Sequence, residues 1–391
     1  MILFFIMLCI LSICILYSKS VSLYSTVFWT SFVLSILAFF QDVNPDSDLM
    51  VSFEHLDNIR KYGWAYFDNT DIATSFYFRG RDGLKVYFYL ISFLQCNNFF
   101  SAISVFLFYY MPMLGILECA RYYKVAPEYT KWCLIILIWM VDFFDGSNGV
   151  RNMLSFGIFA YAVTTELLVN EKKIKIRSFV LYVIAALIHS SAWVLVFLRL
   201  MLYLKKESLI FVSGIILLFW SYGLDFLSLS DFINSENAIA ASMEHHMSAY
   251  AGDNIGEGNY SADVFNNSAS YMLMRTFRLF HVLAILFPIL FIWIRNRSID
   301  NIMKYIYLLS CFCLGAYLSS FATNIFTRYS FEIIFLTPVF FVAYTSRIIL
   351  LNLGQYKLNR LAVVFLIIVL LFNYYLFRYH YHYMHFGFNI Y

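Results

Sequence analysis

The chain has 391 residues, of which 62% are apolar, 21% aromatic and only 13% charged. Those proportions exclude a water-soluble globular protein and fit an all-α, polytopic integral membrane helix bundle. A net charge of +3 excludes the strongly basic footprint of a nucleic-acid binder.

Met1 to Tyr17 is an apolar run with no basic stretch ahead of it and no small-residue cleavage site behind it. A retained span is therefore expected, not a cleaved signal. Val21 to Phe40 is the second span. A loop of about 41–83 follows, with eight acids, four bases and interspersed Trp and Tyr, the composition of a folded loop resting on the membrane interface. It contains the triplet Asp46-Ser-Asp48 and closes on Arg79-Gly-Arg81-Asp82-Gly83. Leu84–Gln95 is apolar but too short to span, so it is expected to be interfacial or re-entrant.

Apolar runs then recur at roughly 98–120, 129–144, 150–169, 209–227, 271–294, 302–321, 331–350 and 361–377. Gly146-Ser-Asn-Gly149 predicts a turn that opens the helix headed by Arg151, and a short basic loop, Glu171–Arg177, follows that helix. Ser178–Leu204 carries His189 before Ser190 and Ser191. A second large loop, about 231–270, has six acids and no Lys or Arg. Its stretch Met243–Asp253 has the composition of a short amphipathic helix. The tail RYHYHYMHFGFNIY reads as an aromatic interfacial segment in preference to a metal tract. The seven cysteines lie in or beside apolar runs, are odd in number and form no C-x-x-C pair, so neither a disulfide framework nor a zinc site is expected. A single membrane domain, 1–391, of about ten full spans plus re-entrant pieces is the resulting expectation.

Lysine and arginine set the orientation. If Ser178–Leu204 is a broken hairpin that returns to its starting side, 17 of the 27 basic residues fall on one side, ten of them lysines. That side is the cytoplasm. His189 then lies at the turn of a re-entrant piece; the plainer reading is a lone histidine packed between helices. The other ten basic residues are Arg60, Lys61, Arg79, Arg81, Lys85, Arg151, Arg275, Arg278, Arg328 and Arg378, eight of them arginine. Positive charge on the outer side opposes insertion and calls for a ligand or partner. Arginine is the bidentate binder of phosphate and carboxylate. Arg151, Arg275, Arg278 and Arg328 flank outer span ends, and Arg275 and Arg278, three residues apart, share a helix face. The alternatives are snorkelling to headgroups or pairing with loop acids such as Asp46, Asp48 or Asp253.

The order of these features resembles the EpsG-like branch of the Wzy polysaccharide polymerases. The likeness rests on Asp46-Ser-Asp48, Arg151-Asn152, Glu171–Arg177, His189-Ser-Ser191 and Thr327-Arg328-Tyr329, and spans nearly the whole chain. It implies an enzyme that joins undecaprenyl-pyrophosphate-linked repeat units of O-antigen, capsule or exopolysaccharide at the outer, periplasmic face of a bacterial inner membrane. Donor and acceptor would both be lipid-linked oligosaccharides, with a chain-length regulator and a flippase as associated proteins and membrane lipid as surroundings. The arginines Arg79, Arg81, Arg151, Arg275, Arg278 and Arg328 would bind the pyrophosphate, where charge grows in the transition state. Asp46, Asp48 and His189 are the candidates for the base. No cofactor or metal is implied, and no Walker or Rossmann glycine loop is present. Two other functions fit the composition: a polyprenyl-phosphate-sugar glycosyltransferase with a metal on the D-x-D triplet, and a lipid-linked oligosaccharide flippase or transporter, which would be expected to carry an internal repeat. A membrane O-acyltransferase using a helix-borne histidine would also need an acyl-donor site, for which no motif speaks.

Overall fold

The structure, a computed structural model, describes residues 2–19, 22–43, 47–68, 77–78, 81–141, 143–168, 175–204, 206–221, 269–296, 299–318 and 323–350. Within these residues the regular elements are all helical. Four helices are long and apolar enough to cross a membrane, with spans Asn98–Tyr123, Leu273–Arg295, Asn301–Leu318 and Ile325–Ser346. Shorter apolar helices stand at Phe4–Tyr17, Leu23–Phe39, Ile176–Ile188, Ala192–Tyr203 and Glu207–Leu218. The expected span at 361–377, the amphipathic Met243–Asp253 and the histidine-rich tail lie outside the described residues.

The chain divides into two compact units, Met1–Phe197 with Ile334–Tyr391, and Leu198–Ile333. In the first, α1 (Ile2–Tyr17) runs antiparallel to a later helix, Pro127–Met140. Trp139 Nε1 donates to Ser12 Oγ at 2.8 Å, and Lys131 Nζ donates to the Leu16 carbonyl at 3.0 Å. That lysine satisfies a carbonyl that the end of α1 would otherwise leave open. α2 (Leu23–Phe39) and the helix Val150–Leu168 both pack on the 26-residue helix Asn98–Tyr123. Gly157 makes the second contact possible: a Cβ there would stand 3.0 Å from the Phe108 Cα.

Within the stretch 41–83, the described residues include an α-helix and a short 3-10 helix, Gly63–Asp68. α3 (Asp48–Tyr62) starts at Ser47, whose hydroxyl accepts the Met50 amide at 3.3 Å, and it buries Leu49, Ser52, Phe53, His55, Leu56 and Ile59. α4 (Asp82–Ser92) buries Leu84, Phe88 and Ile91 and exposes Val86 and Leu90. Eleven residues cannot span a bilayer. Numbering continues in chain order: α5 Asn98–Tyr123, α6 Pro127–Met140, α7 Phe143–Asn148, α8 Val150–Leu168, α9 Ile176–Ile188 and α10 Ala192–Leu200. Two local expectations change. Gly146 and Ser147 belong to the short helix α7 and not to an open turn, with Gly146 set against the Phe108 ring. The last described helix, Thr323–Leu350, begins eight residues before the expected Phe331, so Thr327-Arg328-Tyr329 is helical.

The second unit contains α11 (Glu207–Leu218), α12 (Ala269–Asn296), α13 (Asn301–Leu318) and the start of α14 (Thr323–Leu350). Lys304 pairs with Glu207 at 2.8 Å, and Tyr307 donates to the Phe211 carbonyl at 2.9 Å, so α11 and α13 run parallel. α12 runs antiparallel to α13: Arg275 meets Tyr317 at one end and Trp293 meets Tyr307 at the other. Phe280, Phe287, Phe291 and Ile294 are exposed along one side of α12, while Val282, Ile285, Ile289 and Trp293 are buried on the other. Such a one-sided apolar stripe is compatible with a helix that faces lipid.

Candidate active site

α8 and α9 are antiparallel, and three contacts fix their register. Ser155 Oγ donates to the Ala185 carbonyl at 2.8 Å, the Phe159 and Tyr182 rings are 4.8 Å apart, and Arg177 donates to the Tyr161 hydroxyl at 2.6 Å. One turn beyond the first contact stand Arg151 on α8 and His189 after α9, at the same end of the pair. The start of α4 joins them there. A Cβ on Gly83 would lie 2.7 Å from the Leu187 Cβ, so only glycine lets α4 approach α9 this closely. The elements that carry Asp48, Arg81, Arg151 and His189 thus belong to one unit, and three of the four residues cluster through specific contacts.

Tyr77 is the hub. The Arg151 guanidinium lies over its ring, 4.0 Å from the centroid. Its hydroxyl shares a 2.7 Å hydrogen bond with Ser52 Oγ, which also donates to the Asp48 carbonyl at 2.8 Å. Its own carbonyl accepts from Arg81 Nη1 at 2.7 Å. His55 touches the same ring at 4.3 Å and shares a 2.7 Å hydrogen bond with the Tyr66 hydroxyl through Nδ1. Burial and the nearby Arg151 charge hold the His55 pKa down at about 4, so the imidazole is neutral at physiological pH. Burial pushes the Tyr77 phenol up, with Arg151 and the Ser52 hydrogen bond opposing the shift.

Arg151 is partly exposed, and among the described residues it makes no hydrogen bond or ion pair. Beside it, the buried Asn152 Oδ1 has no hydrogen-bond partner among the described residues. Asp48 is exposed at the first position of α3, whereas Arg81 is buried. His189 is 3% exposed, sits in extended backbone at φ −145°, and accepts the Ser191 amide on Nδ1 at 3.2 Å. The helix breaks at His189, where the sequence places an interruption. Asp46 and Arg79 lie outside the described residues.

The other three arginines belong to the second unit. Arg278 is 2% exposed; it donates to the Thr327 carbonyl at 2.8 Å and lies 4.1 Å from the Phe331 ring centroid. Arg275 donates to the Tyr317 carbonyl at 3.2 Å and covers the Tyr317 ring at 4.8 Å. Arg328 is partly exposed in the second turn of α14. Arg278 is thus a brace between α12 and α14 before it is a ligand.

The EpsG family profile matches residues 49–391. The chain belongs to the EpsG family. No curated protein and no solved structure matches it. EpsG membership is consistent with a glycosyltransferase-like membrane enzyme. Asp46 and Asp48 stand just ahead of the EpsG match, and every other candidate residue lies inside it.

Sequence reasoning missed Tyr77, Ser52, His55 and Tyr66. Only the i, i+4 spacing of Asp48 and Ser52 and the i, i+7 spacing of Asp48 and His55 on one helix hinted at them. Glu332 was missed as well. It is fully buried in α14, and neither carboxylate oxygen has a hydrogen-bond partner among the described residues. An acid inside an apolar helix such as SFEIIF is itself a functional signal.

Proposed function

We propose that this protein polymerises glycan repeat units carried on undecaprenyl pyrophosphate, at the periplasmic face of a bacterial inner membrane. The acceptor's sugar hydroxyl attacks the anomeric carbon of the donor chain. A new C–O glycosidic bond forms and the C–O bond to pyrophosphate breaks, its electron pair leaving with the lipid pyrophosphate. The hydroxyl proton passes to a base. The reaction needs no nucleotide sugar.

The observation that carries this reading is Arg151: a partly exposed guanidinium held over the Tyr77 ring, with no hydrogen bond or ion pair among the described residues. Such a group suits paired phosphate oxygens, and its charge meets the negative charge that grows on the leaving group. Of the candidate bases on described residues, Asp48 is accessible while His189 is buried with Nδ1 engaged. Accessibility favours Asp48. Donor, acceptor and the associated flippase and chain-length regulator follow from family resemblance.

Deleting the gene tests the class. A polymerase mutant displays surface glycan capped at a single repeat unit, whereas loss of a flippase leaves no repeat unit at the surface.

A further inference from the structure

We propose that Tyr77 is the positioning residue that holds Arg151 edge-on for an anionic ligand; this rests on the pyrophosphate reading of Arg151 given above. A guanidinium binds paired oxygens through its N–H edge, so its plane must be fixed without using that edge. A ring face does this. The Arg151 guanidinium carbon lies over the Tyr77 ring at 4.0 Å from its centroid, and no Arg151 N–H makes a hydrogen bond among the described residues.

The ring is itself immobilised at both ends. Its hydroxyl is tied to Ser52, and through Ser52 to the first turn of α3, while its carbonyl is tied to Arg81 at the head of α4. Tyr77 is 7% exposed and packs against His55, Phe78 and Phe88. A tyrosine serves better than a phenylalanine because the hydroxyl fixes the ring's rotation. Neutral His55 completes the seat, since a charged imidazole on the same ring would repel Arg151. Asp48 and Arg81 both lie near enough to the Tyr77 phenol to act on it electrostatically, in opposite directions.

Phenylglyoxal, which condenses with accessible guanidinium groups, tests the seat with the full-length chain in detergent micelles and phosphate-free buffer. Modification of the Arg151 peptide is followed by mass spectrometry, with and without inorganic pyrophosphate. Tyr77→Met should speed modification of Arg151 by roughly 3- to 30-fold, the range expected for losing a cation–π contact. Tyr77→Phe, which keeps the ring but loses its tie to Ser52, should fall between wild type and Tyr77→Met, and Tyr77→Trp should be modified no faster than Tyr77→Phe. Phe78→Leu, which disturbs the same aromatic nest without touching Arg151, should leave the rate unchanged.

An unchanged rate in Tyr77→Met overturns the seat, whether or not pyrophosphate protects. Equal acceleration in Tyr77→Met and Phe78→Leu also overturns it, because the nest as a whole would then be the shield. If Tyr77→Met does not fold, a Trp variant modified faster than the Phe variant overturns the proposal, and the reverse order supports it. Acceleration in Tyr77→Met with no pyrophosphate protection in wild type supports the seat and rejects the pyrophosphate reading instead.

Discussion

Arg278 Nη1 donates to the carbonyl oxygen of Thr327 at 2.8 Å, joining α12 to the first turns of α14 across 49 residues of sequence. The guanidinium is buried over Phe331. Arg278→Ala should therefore act on stability: it removes a charge-assisted hydrogen bond, worth about 1.5–3 kcal/mol, from the Thr327 carbonyl, which keeps the Ser330 hydroxyl as a donor. The level of folded protein in the membrane and the melting midpoint in detergent are the readouts. Arg151→Ala should leave both near wild type. Equal losses in the two variants would mean that Arg151 is also a brace.

A pH dependence follows from His55. The unfolded chain takes up a proton there near pH 6.5, while the folded protein does so only near pH 4. The unfolded state therefore binds more protons between those values, and folded stability falls as pH drops through that window and is flat above it. Melting curves from pH 7.5 to 4 should show the decline, and His55→Gln should flatten it. An identical slope in that variant would assign the decline to other groups.

The helical class, the shortness of the helix near Leu84, the interruption at His189 and the placing of Arg151 at a helix head are all legible in the sequence, because hydropathy period and charge position are local signals. The seat around Arg151 is not. Ser52 and Tyr77 are 25 residues apart and meet only because α3 folds back onto the end of its own loop. The direction of the α12 arginines is equally hidden. Their spacing puts Arg275 and Arg278 on one face, yet nothing in it tells whether that face meets a ligand or a neighbouring helix. The structure turns Arg278 inward, onto Thr327 and Phe331. Glu332 shows the same limit: a single acid in an apolar run is visible, but its burial without a bonded oxygen is a property of packing.

Sidedness is open to direct measurement. Reporter fusions at Asn69 and Gly252 should report the outer side, and fusions at Lys173, Lys205 and Asn296 the cytoplasm. An outer signal at Lys205 would mean that Ser178–Leu204 crosses the membrane outright, and every later loop would change sides.

The central claim, that Arg151 binds pyrophosphate by geometry as well as charge, is tested most directly by the surface-glycan ladder of Arg151→Ala and Arg151→Lys cells. Losing one transition-state contact typically lowers the rate by about 10²–10³-fold. Both variants should be present in the membrane at normal levels and display glycan of a single repeat unit, since lysine offers a point charge in place of a planar fork. A full ladder from Arg151→Lys would reduce the residue to generic charge, and a full ladder from Arg151→Ala would contradict the account outright.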